Sequence, residues 1–298
     1  PESYYTPPAE ALEEIQVVRG AASLQYGTQF GGLVNFKFKQ PNSSKKIEWT
    51  SRQTLGSYNL KTSFNSLSGT VGKFSYCTYF NYKEGNSFRP NSDYNSRNYF
   101  AHVGYQFSDK TKVTVETTFL NYLAKQPGGL TDAQFIEDPT FSNRERNWFD
   151  VDWKLFSVRL DHKFSSKTDF SLNVFGLDAS RSALGFRTNR VSQPDDPEEP
   201  RELLIDNFQN WGAEARLLTR YKLGDTESAL LIGSKIYRTD NDQRQGPGTS
   251  AANADFNFAD DEFPNYERQS QFNFPNANLA FFGENIFNIS PKLTLTPG

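Results

Sequence analysis

The segment Gly72–Tyr82, GKFSYCTYFNY, changes the character of its side chain at nearly every residue. One set of alternating positions holds Phe74, Tyr76, Thr78, Phe80 and Tyr82, and the other holds Lys73, Ser75, Cys77, Tyr79 and Asn81. Successive side chains of a β-strand point to opposite faces of a sheet. The segment therefore predicts a strand with one aromatic face and one largely polar face.

The same period of two continues from Ile47 to the end of the chain. It is clearest in NYFAHVGYQF (98–107), WGAEARLLTRYKL (211–223) and NLAFFGENIFNI (278–289). Eleven candidate strands result, with about 10–15 residues each, where strands of globular proteins usually have about 5–6. Strands of that length cross a bilayer when they are tilted.

The connections between these candidate strands alternate in length. Short links lie at 69–72, 108–110, 165–167, 224–226 and 290–291, and long links lie at 84–94, 123–151, 181–206 and 239–273. The first link, Gly56–Ser57, is short where a long one is due. Outer-membrane barrels have short periplasmic turns and longer external loops, whereas sandwiches do not require this alternation. The fold predicted for residues 43–298 is an antiparallel transmembrane β-barrel.

The composition fits strands with two unlike faces. Aromatic residues make up 15% of the chain, with 27 Phe and 14 Tyr, although hydrophobic residues reach only 36% and the mean hydropathy is −0.69. A barrel with a wet interior and aromatic girdles combines these properties, and a polar sandwich with a few aromatic layers is the alternative. No apolar run approaches the roughly 18 residues of a spanning helix, so an α-helical membrane protein is excluded.

Charge and cysteine content narrow the function further. The formal net charge of −3 argues against a nucleic-acid partner, which requires a basic surface. The single cysteine, Cys77, forms no internal disulfide and fits no metal-ligand pattern, so we expect neither a metal site nor a cofactor. The chain has no methionine and no signal peptide, and we expect it to begin inside a longer protein or at least after processing.

Residues 1–42 differ from the rest of the chain. They contain a short acidic turn, the apolar run Ile15–Val18, a stretch punctuated by glycine, and a final strand from Leu33 to Lys39. This order predicts a small mixed α/β piece, and the turn residues at 41–44 mark its boundary. We therefore expect one domain over residues 1–42 and a second over 43–298.

The segment EEIQVVRGAASLQYGTQFGGLVNFKFK (13–39) resembles the signature that closes the plug domain of TonB-dependent outer-membrane receptors. The matching positions are Arg19, Gly20, Ser23, Tyr26, Gly27, Gly31, Gly32, Val34 and Asn35. Gln16 departs from the signature, which commonly carries Glu there. Glycines permit positive φ or close backbone approach, which suits a compact plug; the alternative is that they form tight turns and that Arg19 is a surface cation.

The resemblance extends into the predicted barrel. The segments SRQTLGSYN, QPGGLTD, RNWFDVDW and FFGENIFNISPKLTLTPG are similar to the ferric-dicitrate-type branch of the family in Bacteroidota. The resemblance implies that residues 1–42 end a plug and that residues 43–298 form the N-terminal half, about 11 strands, of a 22-stranded barrel. It also implies a place in outer-membrane lipid, a ferric chelate such as ferric citrate as ligand, and energy from TonB–ExbB–ExbD through a segment upstream of Pro1.

The family pattern also implies roles for individual residues. Plugs of the family are commonly locked to the barrel wall by Arg–Glu pairs, and Arg19 with Glu214 and Glu284 fits such a lock, although both glutamates are equally well read as ordinary lumen charges. An anionic ferric citrate complex needs guanidinium donors in the outer vestibule. Candidates in or beside the long links are Arg89, Gln126, Arg144, Arg146, Trp148, Arg181, Arg187 and Arg190, with solvated loop cations as the alternative.

Three other functions compete with iron import. One is a glycan importer of the same superfamily that works with a surface lipoprotein. Another is a simple porin, although a porin needs no plug signature. A barrel enzyme is a further alternative, but His102 and His162 stand alone within candidate strands and no Ser–His–acid spacing accompanies them. We therefore expect no catalytic residue.

Overall fold

The computed structural model describes residues 5–19, 31–188, 190–290 and 292–298. A 3-10 turn at Ala9–Ala11 precedes a small sheet of β1 (Leu12–Val18) and β2 (Leu33–Phe38). The long sheet consists of β3 (Glu48–Leu55), β4 (Lys61–Val71), β5 (Phe74–Gly85), β6 (Tyr94–Ser108), β7 (Thr111–Lys125), β8 (Trp148–Lys163), β9 (Thr168–Gly185), β10 (Glu202–Leu223), β11 (Thr226–Pro247), β12 (Ser270–Ser290) and β13 (Leu293–Leu295). A helix, α1 (Asp132–Glu137), interrupts the connection between β7 and β8.

The long sheet is an antiparallel meander of eleven strands in chain order, from β3 to β13. Each strand pairs with the one before it and the one after it, and the alternation of short turns with long loops is present between β4 and β13. These findings confirm the predicted all-β class, the number of strands and the antiparallel order. No helix in the described ranges is long and apolar enough to cross a membrane.

The two faces of the long sheet differ in an unusual way. Apolar side chains on one face are exposed, among them Phe74, Val103 and Phe281, whose exposed fractions are 53%, 46% and 78%. Polar side chains on the opposite face are buried, as are Asn98 and His102 at 3% and 7%. We call the first the outer face and the second the inner face. This distribution reverses that of a soluble protein, in which apolar side chains are the ones most often buried.

Residues 5–11 and strand β2 cover part of the inner face. The hydroxyl groups of Tyr5 and Tyr79 lie 2.8 Å apart. Ala11 packs in a buried cluster with Phe64, Tyr79 and Phe100, and Phe38 stacks on Phe100 with ring centroids 4.7 Å apart. The N-terminal segment is therefore packed against the face that carries the polar side chains.

Strands β9 to β12 extend beyond the ends that the sequence predicts. The predicted link at 181–206 shortens to 186–201, and the predicted link at 239–273 shortens to 248–269. The residues added to β11 and β12 are largely polar on the outer face, including Asp240, Asp242 and Asn273, whereas those added to β10 include the apolar run Leu203–Ile205. Backbone pairing continues there although the apolar alternation that marks a strand in sequence has ended.

Residues 1–42 conform to the prediction only in part. The strands β1 and β2 match the predicted runs at Ile15–Val18 and Leu33–Lys39, and the acidic turn is the 3-10 turn that contains Glu10. Within residues 5–19 and 31–42 there is no α-helix, so a mixed α/β plug is not evident. The boundary predicted at 41–44 falls between β2 and β3, and the division into two domains stays a prediction.

Candidate functional site

Four long loops lie at one end of the long sheet, opposite the short turns. We name them L1 (86–93), L2 (126–147), L3 (186–201) and L4 (248–269). L2 contains α1, whose first turn is closed by a capping box: Thr131 Oγ1 accepts from the amide of Gln134, and the Gln134 side chain accepts from the amide of Thr131. The order of this end depends on contacts between loops that are far apart in sequence.

Arg146 of L2 joins three of these loops. Its guanidinium forms an ion pair with Asp195 of L3 at 2.6 Å. The same group donates to the carbonyls of Glu199 in L3, at 3.1 Å, and Ser250 in L4, at 2.8 Å. Only 5% of Arg146 is exposed. A guanidinium satisfies several acceptors at fixed angles, and Arg146 thereby fixes L2, L3 and L4 to one another.

Arg201 reinforces the same junction from the end of L3. It is fully buried and donates to the Thr249 carbonyl at 2.8 Å and to the Asn253 carbonyl at 2.7 Å, both in L4. Burial, together with the neighbouring charge of Arg146, lowers the pKa of Arg201 to about 10. Arg201 therefore still carries its charge at neutral pH, and nothing in its sequence neighbourhood distinguishes it from a surface cation.

Two other predicted ligand residues are engaged within the loops. Arg89 of L1 donates to the Phe141 carbonyl at 2.7 Å, which ties L1 to L2. Arg144 donates to the Asn143 carbonyl at 2.7 Å, and its guanidinium lies 4.9 Å from the centre of the Phe186 ring. Arg144 is 5% exposed, and burial lowers its pKa.

A second group of charges surrounds Glu202 at the start of β10. Arg187 Nε lies 3.6 Å from one carboxylate oxygen of Glu202, and Arg268 Nη1 lies 3.0 Å from the other. The side chains of Arg187 and Arg268 are 36% and 56% exposed. Burial, and then the charge of Glu202, raise the pKa of the nearby Tyr266. This group presents two accessible guanidinium groups held by one buried carboxylate.

The inner face continues this polar lining below Glu202. Asp206 pairs with Arg181 and accepts from Gln243 Nε2 at 2.6 Å. Phe208 and Trp153 follow on the same face, with ring centroids 5.7 Å apart. The wall thus changes from charged to aromatic as it leaves the loops.

A cleft of about 510 Å³ separates the N-terminal segment from the loop end of the inner face. Its lining includes Pro7, Lys83, Tyr94, Asn98, Tyr122 and Phe149. A second cleft, of about 610 Å³, lies among L2, L3 and L4 and includes Gln134, Glu145, Arg146, Gln193, Asp195 and Ser250 in its lining. Concave sites with aromatic walls and a few polar groups are typical of ligand pockets.

The structure therefore distributes the predicted ligand residues among different surroundings. Arg146 and Arg144 lie within the loop junction, Arg89 ties L1 to L2, and Arg187 belongs to the Glu202 group. Gln126 and Arg190 are exposed, and Trp148 donates to the Ala252 carbonyl at 2.8 Å. Sequence reasoning missed Arg201, Glu202 and Arg268, because their partners lie in other loops and leave no local pattern.

The plug signature is described only in part, because Gly20, Ser23, Tyr26 and Gly27 lie outside the described residues. Gly32 has a φ of 96°, and a Cβ there would lie 2.3 Å from the Val18 carbonyl oxygen, so only glycine fits. Asn35 on β2 donates to Gln16 on β1 at 3.0 Å. Gly31 is exposed and has open space around it.

The predicted plug–barrel lock is not tested by these contacts. Arg19 is exposed at the end of β1. Glu214 lies on the inner face, where it pairs with Arg216 and lies 4.0 Å from Lys235. Glu284 is on the same face near Arg216, beside a cleft at the short-turn end. The pairing of Arg19 with either glutamate stays a prediction.

Comparison with known proteins places this arrangement in a known fold. No protein-family model matches the sequence, and no curated protein matches it. The structure resembles the ferripyoverdine receptor of the outer membrane of Pseudomonas aeruginosa, with a TM-score of 0.77 and 14% identity over 96% of this chain and 41% of the receptor.

Two other solved structures are similar. The ferric citrate transporter FecA gives a TM-score of 0.71 at 16% identity, over 95% of this chain and 48% of FecA. The ferric-catecholate import receptor Fiu of E. coli K12 gives 0.72 at 11% identity, over 96% and 48%. The chain thus spans less than half of each of these receptors, and its long sheet has the fold of part of a TonB-dependent receptor barrel.

Proposed function

We propose that the chain is the plug terminus and first half of the barrel of a TonB-dependent outer-membrane receptor that imports a ferric chelate. The observation that carries the proposal is the eleven-stranded meander with an exposed apolar outer face, whose fold matches receptors for ferric chelates. On this reading the outer face meets lipid, the short turns lie in the periplasm, and L1–L4 lie outside the cell.

The ligand we propose is an anionic chelate such as ferric citrate. The support is the group around Glu202, where Arg187 and Arg268 are partly exposed above an aromatic inner wall. Guanidinium groups bind carboxylates through paired hydrogen bonds. Arg190 and Gln126, both exposed, are proposed as further contacts. Arg89, Arg144 and Arg146 are proposed to act by holding the loops around the ligand.

Residues 1–42 are proposed to close the plug, with Arg19 pairing with Glu214 or Glu284 in the resting receptor. The contact between residues 5–11 and the inner face supports this placement, since a plug fills the lumen of such barrels. Energy would reach the plug from TonB–ExbB–ExbD through a segment upstream of Pro1. No catalytic role is proposed for any residue.

A glycan importer remains the second candidate. The aromatic side chains of Tyr94, Tyr122 and Phe149 in the inner cleft favour it, because rings offer flat apolar surfaces with polar edges for sugar recognition. Titration calorimetry of the full-length receptor with ferric citrate and with oligosaccharides separates the two. We expect binding of ferric citrate that citrate alone does not reproduce; binding of an oligosaccharide and of no ferric chelate would contradict the iron proposal.

A cell-based test addresses transport itself. We expect a strain that lacks its other iron receptors to grow on ferric citrate when it carries the full-length receptor. Growth should stop when the TonB gene is deleted, because import by this class of receptor needs external energy. Growth that persists without TonB would mean passive diffusion and would favour a porin.

A further inference from the structure

Four of the five short turns end in a lysine at the same structural position. Lys73, Lys110, Lys167 and Lys292 each directly precede a strand, namely β5, β7, β9 and β13. All four are exposed. The fifth turn ends in Asp225, with Lys222 one residue before the end of β10. We call these four residues the turn lysines.

The turn lysines differ from the lysines at the loop end in how their charge is satisfied. At the loop end, Lys61 pairs with Glu84 at 2.9 Å and Lys154 with Asp152 at 3.1 Å. Lys83 and Lys125 lie over aromatic rings, at 5.6 and 5.1 Å from the centroids. No turn lysine pairs with a carboxylate within the described residues. Asp109 and Asp225 are the carboxylates in these turns, and neither forms an ion pair with any residue that the structure describes.

An aromatic girdle adjoins the turn lysines on the outer face. It comprises Phe74, Tyr105, Phe107, Phe164 and Phe170, with neighbouring rings 4.6 to 6.2 Å apart. The ammonium of Lys73 donates to the Phe107 carbonyl at 3.1 Å, and the Phe107 side chain is 55% exposed. Aromatic girdles of membrane proteins lie at the level of the lipid headgroups. The turn lysines therefore stand next to the headgroup layer.

We propose that the turn lysines bind the phosphate groups of anionic phospholipids in the periplasmic leaflet. The proposal rests on the membrane placement given under Proposed function. An ammonium on a flexible stem reaches a phosphate beside the girdle, and anionic lipids attract basic residues near the bilayer surface. Lysines repeated at equivalent turns form a collar that fixes the depth of the barrel in the bilayer.

The test uses the full-length receptor in vesicles that contain spin-labelled phosphatidylglycerol or spin-labelled phosphatidylcholine. Electron paramagnetic resonance measures how strongly each lipid associates with the protein. At low salt we expect phosphatidylglycerol to be preferred by about threefold or more, and we expect the preference to fall as salt screens the charges. In a variant with Lys73, Lys110, Lys167 and Lys292 all changed to Gln, the preference should approach unity.

The matched control changes Lys61, Lys83, Lys125 and Lys154 to Gln, which alters the net charge equally at the loop end. We expect this variant to keep the lipid preference. An equal loss in both variants would mean a general charge effect and would overturn the proposal, as would an unchanged preference in the turn variant.

If the membrane placement given under Proposed function is wrong, the spin-label experiment gives a different result. A chain that does not enter the bilayer immobilises neither labelled lipid, in the wild type or in any variant. That outcome would overturn both the placement and the lipid collar. Retained immobilisation of both lipids without a preference for phosphatidylglycerol would overturn the collar alone.

Discussion

The outer and inner faces of the same strands follow opposite rules. On β8, Phe156 and Val158 of the outer face are 45% and 48% exposed, whereas Val151 and Trp153 of the inner face are 1% and 4% exposed. Neighbouring strands repeat this contrast with polar inner residues such as Thr114 and Thr118, which are buried. The difference shows that exposure on these strands follows the face of the sheet and not the polarity of the side chain. Under the membrane placement proposed above, the exposed apolar face lies against lipid.

The largest expected effect concerns the inner face. Phe100 is 5% exposed and packs with Ala11, Phe38, Phe64 and Tyr79. Phe100→Ala should lower the free energy of unfolding by about 3–5 kcal/mol, because it leaves a cavity in this cluster. Denaturant titration of the full-length receptor measures the change. The matched outer-face variant Tyr99→Ala, at a side chain 44% exposed, should cost less; a larger cost at Tyr99 would reverse the assignment of the faces.

The next effect concerns the outer face. Under the proposed membrane placement, Val158→Arg puts a charge against lipid and should destabilise the protein in a bilayer by about 2–4 kcal/mol. Ser157→Arg, at the neighbouring residue on the inner face, serves as the control and should cost much less, because Ser157 is half-buried and its partner residue on β7 is Glu116. Refolding titrations in vesicles give both values. Equal losses of stability in the two variants would contradict the proposed difference between the two faces.

At the loop end, we expect substitutions to change stability little and ligand binding clearly. Replacing both Arg187 and Arg268 by Ala should weaken the binding of ferric citrate by at least about tenfold, since two charge-assisted contacts are lost. Arg159 and Arg220, exposed arginines at the short-turn end, give a control double variant with unchanged affinity. Calorimetry measures both. Unchanged affinity for ferric citrate in the Arg187 and Arg268 double variant would mean that the group around Glu202 does not bind the ligand.

The smallest expected effect is a pH response in L2. Hydrogen bonds from the Thr140 hydroxyl and amide lower the pKa of Asp138. A carboxyl whose pKa is lowered by folding stabilises the folded loop above its unfolded pKa of about 4 and loses that contribution as pH falls through the folded value. The protection of the Thr140 amide against hydrogen exchange, measured relative to its intrinsic exchange rate at each pH, should therefore fall below about pH 4. Asp138→Asn should abolish this pH dependence, and its persistence would mean that another group titrates.

The sequence predicts the alternating strands of the fold well, for a physical reason. Alternation in segments such as Gly72–Tyr82 reflects the two unlike faces of each strand, and it therefore locates β5 and its neighbours. The extension of β10 to Glu202 and of β11 to Pro247 does not carry this signal. The added part of β11 is polar on both faces, and the added part of β10 contains the uninterrupted apolar run Leu203–Ile205, so neither alternates.

The candidate site is predicted less completely. Arg146 and Trp148 are found as members of a long link, but their partners Ser250 and Ala252 are 104 residues away. No local spacing in the sequence distinguishes an arginine whose guanidinium contacts other loops from an arginine whose guanidinium is accessible to a ligand. For the same reason Arg201 and Arg268 carry no signal in the sequence, and only the folded arrangement separates loop-holding arginines from accessible ones.

The most direct test of the account is a scan of lipid contact along β8. Single cysteines at positions 155 to 160, in a Cys77→Ser background, are labelled with a fluorophore in vesicles whose lipid chains carry a quencher. The account predicts strong quenching at 156, 158 and 160 and weak quenching at 155, 157 and 159. Uniform quenching, or quenching with the opposite phase, would contradict an outer face that meets lipid.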